Sequence, residues 1–147
     1  MAAQARKAPK PKPTGEARKT PVLQYSIPCV AVQRQEANVL IVNPFDTLTH
    51  IGAAGMPAQF VILDCWTNGV GVWRTHLTVS DSGGQELFRS NEVRFWLEAP
   101  VRRHQVENYV AVVLPEPGIY LVREYLENVL TLEYRLKMDI LSAPPTA

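Results

Sequence analysis

Cysteine is scarce in this chain, and long apolar runs are missing altogether. Cys29 and Cys65 are the only thiols among 147 residues. Two are too few for a disulfide scaffold or a four-cysteine zinc site. No apolar stretch approaches the roughly 18–20 residues that a membrane-crossing helix requires, so no membrane partner is expected. The three histidines, His50, His76 and His104, show neither His-x-His nor His-Glu-x-x-His spacing, which removes the usual sequence basis for a metal centre. Gly69-Val70-Gly71 lacks the third glycine and the Lys-Ser/Thr pair of a phosphate-cradling loop, and Thr67-Asn68-Gly69 reads instead as a turn. Neither cysteine sits in a recognisable nucleophile motif, and both lie in apolar stretches where cysteine is ordinarily core. No catalytic residue, cofactor or metal is expected, and a cysteine-dependent enzyme is the least supported reading.

Residues 1–20 lack every Leu, Ile, Val, Phe, Tyr and Trp. Without large apolar side chains, such a segment cannot offset the roughly 1–2 kcal/mol per residue that ordering its backbone costs. It reads as a disordered arm with extended character around Pro9, Pro11 and Pro13. Its six cations, Arg6, Lys7, Lys10, Lys12, Arg18 and Lys19, face only Glu16, a balance of +5. The rest of the chain sets nine Lys/Arg against thirteen Asp/Glu, or −4, so the formal +1 conceals a basic arm on a mildly acidic body. No apolar stretch follows these charges, as a secretory signal would require, and the expected location is the cytoplasm with both thiols reduced. Residues 142–147, with Pro144 and Pro145, read as a short flexible tail.

Between the two ends, residues 21–141 follow a period of two. Leu130, Leu132, Tyr134, Leu136 and Met138 alternate with Thr131, Glu133, Arg135 and Lys137. That pattern puts apolar side chains on one face of a strand and charged ones on the other. Trp73, Thr75, Leu77 and Val79 repeat it, as do Val93, Phe95 and Leu97, and then Val106, Val110, Val112 and Leu114. Residues 59–65 are apolar at nearly every position, which suits a strand covered on both faces. Residues 25–32 and 38–43 supply two further strands. Turn residues separate the runs at Asp81-Ser82-Gly83-Gly84, Pro115-Glu116-Pro117-Gly118 and Glu127-Asn128. Leu121, Val122, Tyr125, Leu126 and Val129 also fit a helical spacing, but the alternation beyond Leu130 and the Pro-Gly entry favour a hairpin. Residues 44–57 read as a long loop. The spacing predicts an all-β, antiparallel sandwich of about seven to eight strands.

The order Ile27-Pro28-Cys29-Val30, a polar turn, a second strand reaching Thr49, Met56-Pro57 before an apolar strand, the Asp81–Gly84 hairpin, and Pro117-Gly118-Ile119-Tyr120 resembles an uncharacterised bacterial family of small single-domain β-sandwich proteins. The resemblance implies an immunoglobulin-like fold and no known activity. The basic arm is a departure from that pattern.

Function therefore rests on exposed side chains. Trp73 shares its face with Leu77 and Val79 and reads as core. Trp96 alternates with Phe95, pointing outward with Arg94 and Glu98, and is a candidate contact residue. Arg102-Arg103-His104 follows Pro100 in a loop and is a candidate anion grip, although charged loops are most often simply solvated. The expectation is a non-enzymatic protein-interaction or assembly module, engaging a protein partner or itself, with residues 129–138 as the pairing strand if they lie at a sheet edge. The alternative is a nucleic-acid-associated protein, bound non-specifically through residues 6–19.

Overall fold

The computed structural model describes residues 17–52 and 55–141. Ten strands build it: β1 (Val22–Gln35), β2 (Asn38–Pro44), β3 (Thr47–Ile51), β4 (Ala58–Thr67), β5 (Gly71–Ser80), β6 (Glu86–Arg89), β7 (Val93–Leu97), β8 (Arg103–Val112), β9 (Gly118–Leu126) and β10 (Val129–Leu141). They form an immunoglobulin-like sandwich of two sheets, one in the order β2-β1-β4-β8, the other β3-β10-β9-β5-β6 with β7 also paired to β5. All pairings are antiparallel except β3 with β10. Among the described residues no helix is long and apolar enough to cross a membrane.

The alternation does what its period requires. Tyr120, Val122, Glu124 and Leu126 of β9 point inward and are buried, while the residues between them are partly exposed. Two apolar clusters fill the space between the sheets. The larger gathers Phe60, Ile62, Leu77, Val79, Val110, Val112, Tyr120, Val122, Leu136 and Met138 among others. The smaller is built around Trp66, Trp73, Phe95, Leu97, Val106 and Leu126. The turns follow local chemistry. Gly84 takes φ 87°, its amide bonds the Asp81 carbonyl at 3.1 Å, and the Asp81 carboxylate accepts from the Gln85 amide at 2.8 Å. Glu127 and Asn128 both have positive φ, 49° and 63°, the geometry of a tight hairpin turn.

The strand count of seven to eight is too low, because β3 and β6 lie outside the predicted runs. β3 falls within the predicted 44–57 loop. Its five residues carry little alternation, and what holds it is a non-local parallel ladder to residues 137–141 of β10. β2 and β3 act as one strand that changes sheets. Phe45 donates to the Pro28 carbonyl in one sheet and Asp46 accepts from Lys137 in the other. β10 is therefore not a simple edge strand: β3 covers residues 137–141, and among the described residues 129–136 pair only with β9. A bulge falls between Leu130 and Leu132.

The charged segment after Pro100 also departs from expectation. Arg103 and His104 are not loop residues but open β8, paired with Thr67 and Trp66. His104 stacks on Phe95 with ring centroids 5.3 Å apart, so the apolar cluster draws the imidazole into the strand.

Candidate anion-binding end

At one end of the sandwich the β4–β5 turn, the β7–β8 loop, the β9–β10 turn and the start of β1 come together. Gly69 in the β4–β5 turn makes room for the chain entering β1. A Cβ there would stand 2.6 Å from Pro21 Cβ and 2.7 Å from its Cα, so Pro21 seats against bare backbone. That seat directs residues 18–20 along the turn. Lys19 and Val70 exchange two backbone hydrogen bonds, at 3.0 and 2.9 Å, and Lys19 Nζ donates to Asn68 Oδ1 at 2.8 Å. The Arg18 guanidinium lies 3.7 Å from the centroid of the Trp73 ring, donates to the Val72 carbonyl at 2.9 Å, and meets Glu127 Oε1 at 3.3 Å. Glu127 Oε1 also accepts from the Arg74 amide at 2.9 Å.

The predicted disorder of residues 1–20 thus does not extend to residues 17–20, which are held against the body. The arm's own composition could not hold them; the indole face and the Val70 backbone supply the contacts that its sequence lacks. Arg6, Lys7, Lys10 and Lys12 lie outside the described residues, as does the predicted tail 142–147.

The other predicted contact residues are brought to the same end. The Asn68 amide donates to the Pro100 carbonyl at 3.0 Å and Thr67 Oγ1 to the Arg102 carbonyl at 3.1 Å, which places exposed Arg102 and Arg103 beside the Lys19 site. Trp96 is the cross-strand partner of Val72, the residue whose carbonyl Arg18 caps. Trp96 is 44% exposed, whereas Trp66 and Trp73 are buried. The sequence reading missed Arg74 and Arg94, which pair with each other on the outer face that carries Trp96. Alternation with Trp73 and Phe95 was the available signal. Sheet register extends this face: Arg89, Arg123, Arg135 and Lys137 project on the same side, so six of the nine cations in residues 21–147 share one surface. Four of the six have carboxylate partners, Glu92, Glu86, Glu133 and Asp139. These pairs are partly or largely exposed, and such pairs contribute little stability.

A second polar cluster lies between the sheets, invisible to the apolar reading of residues 59–65. Asp64 and Glu124 are both fully buried. Asn108 Nδ2 donates to Asp64 Oδ2 at 2.9 Å, and Ser26 Oγ donates to Glu124 Oε1 at 3.1 Å while lying 3.1 Å from Tyr134 Oη. Among the described residues, Asp64 Oδ1 and Glu124 Oε2 have no hydrogen-bond donor. Burial raises both carboxyls, Asp64 to about 6 and Glu124 well above the ordinary value, the latter pushed further by the Asp64 charge. One proton shared between the two carboxyls would satisfy both unpaired oxygens. The cluster lies between the sheets with no exposed surface, Asp64 tied to Asn108 of β8 and Glu124 to Ser26 of β1.

Both cysteines are free and buried, and burial raises each thiol, which disfavours the nucleophilic thiolate. Among the described residues no cluster of His, Cys, Asp and Glu has metal-holding geometry.

No family model and no curated protein matches the sequence. Among solved structures, an immunoglobulin-like protein of Pseudomonas aeruginosa is similar with a TM-score of 0.40 at 11% identity, over 84% of this chain and 99% of that one. The alkylpurine DNA glycosylase AlkC of Pseudomonas fluorescens, bound to DNA containing an abasic site analog, is similar with a TM-score of 0.45 at 7% identity. That match covers 64% of this chain, which spans only 28% of the glycosylase. These likenesses concern the fold.

Proposed function

We propose that this protein is a non-enzymatic interaction module, cytoplasmic, that holds nucleic acid by its phosphate backbone through the cationic end of the sandwich. The observation that carries this reading is the convergence of separate cations. Arg18 and Lys19 at the root of the arm, Arg102 and Arg103 at the entry to β8, and Arg74 and Arg94 on the outer face meet around one set of turns. Four further cations, Arg6, Lys7, Lys10 and Lys12, precede that root in sequence. Neutralising phosphates releases condensed counterions, so binding weakens steeply with salt and carries no base preference of its own.

Retention on duplex DNA across a salt series tests the reading. Removing residues 1–16 takes away four cations and leaves the docked residues 17–20 in place. The slope of log affinity against log salt should fall by up to about four, and Arg102→Ser with Arg103→Ser should lower it further. An unchanged slope in both variants removes the cationic end from the function.

One observation favours a second reading, assembly through protein contact. Among the described residues, 129–136 present a backbone edge with no second partner strand, flanked by exposed Val129, Leu130 and Leu132. An open edge accepts another strand. Arg135→Pro should then abolish self-association, measured by sedimentation, without unfolding the domain.

A further inference from the structure

We infer that Trp96 is a stacking site for an unpaired base, so that the nucleic acid bound is single-stranded. This rests on the phosphate-binding reading above and adds a selectivity that cations alone do not provide.

The argument starts from where the indole sits. Among the described residues β7 pairs only with β5, on the margin of its sheet, and Trp96 faces outward and is nearly half exposed. Sandwiches usually bury tryptophan, and this one buries its other two. An exposed indole offers a partner a broad flat apolar face with a polar edge. Its surroundings say what kind of partner fits. Arg94 lies two residues along the same strand face, about 7 Å away at the usual rise, and Arg74 is opposite Arg94. Among the described residues Arg94 makes no ion pair, and Arg74 reaches Glu92 only at 3.9 Å. One nucleotide spans this arrangement, with its base on the indole and its phosphate against a guanidinium. Arg18, bonded to the carbonyl of Trp96's cross-strand partner, brings the basic arm to the same place.

A duplex offers phosphates but keeps its base faces stacked inside. Only a single strand, a loop or a frayed end presents a free face. Cations with an aromatic platform therefore favour single strands, whereas cations alone bind either form.

The test uses the full-length protein with a short oligo(dT) strand and a duplex of the same length. Because Trp66 and Trp73 are enclosed, quenching by oligo(dT) should come from Trp96. Trp96→Ala should weaken oligo(dT) binding about tenfold and leave duplex binding unchanged, while Trp96→Phe, which keeps an aromatic face, should restore most of the loss. A melting curve matching that of the unaltered protein confirms that each variant folds. If duplex is retained and Trp96→Ala binds oligo(dT) as tightly as before, the stacking inference is overturned and phosphate binding stands. If neither polymer is held at low salt, both are overturned.

Discussion

Replacing Glu124 by glutamine should change how stability depends on pH. Asp64 and Glu124 are buried together, and burial raises both carboxyls toward the protonated form, so that a single shared proton is the expected folded state. In the unfolded chain both carboxyls ionise near their ordinary values, about 4. The folded state thus holds a proton that the unfolded state releases, and stability is greatest at low pH and falls as pH rises. Each unit between the unfolded and folded pKa costs about 1.4 kcal/mol per proton. For Asp64 alone, a rise from 3.8 to about 6 corresponds to roughly 3 kcal/mol. The carboxamide of the Glu124→Gln variant carries a permanent donor in nearly the same shape, so it bonds Asp64 without a proton. Thermal melts from pH 5 to pH 8 should show the unaltered protein losing stability steadily. The Glu124→Gln variant should lose less, by about 1.4 kcal/mol per pH unit, or roughly 5 °C in Tm for a chain of this size. At pH 8 the variant should be the more stable of the two. Parallel curves would refute the shared proton.

Other perturbations follow from the same geometry. Gly69→Ala drives a methyl into Pro21 and should release residues 18–20; tryptic cleavage at Arg18 and Lys19 should accelerate while the core still melts cooperatively. Ser26→Ala removes the bond to Glu124 and the contact with Tyr134, costing about 1–3 kcal/mol by denaturant titration. Trp73→Ala empties a core position and the platform under Arg18, costing about 3–5 kcal/mol. Cys29 and Cys65 should react with a thiol reagent only as fast as the domain unfolds; rapid labelling of the native protein would contradict their burial.

The proposed contact surface needs no cavity. Its cations already lean on the body: Arg18 on Trp73, Lys19 on Asn68. Part of the ordering cost of the arm's root is therefore met before any partner arrives, which favours binding over a wholly free arm. The Arg18–Glu127 pair opposes this slightly, since a phosphate must compete with Glu127. Both side chains are well exposed, and that competition is weak.

By itself the sequence determined the class of fold and the sidedness of most strands. Alternation is a local property: whether Leu136 faces in and Arg135 out depends on neighbours one residue away. The hairpins at Asp81–Gly84 and Glu127-Asn128 were legible for the same reason, since turn chemistry sits within four residues. Tertiary structure alone decided what depends on distant partners. β3 exists because residues 137–141 lie beside it, some ninety positions away in sequence. Asp64 sits in a run that reads as apolar, and its coupling to Glu124 exists only because the other sheet places β9 opposite. Arg18, Lys19, Trp96, Arg102 and Arg103 could each be named from the sequence as exposed or charged. Only the meeting of three turns at one end made them neighbours, because sheet register, not local pattern, fixes which strand ends coincide.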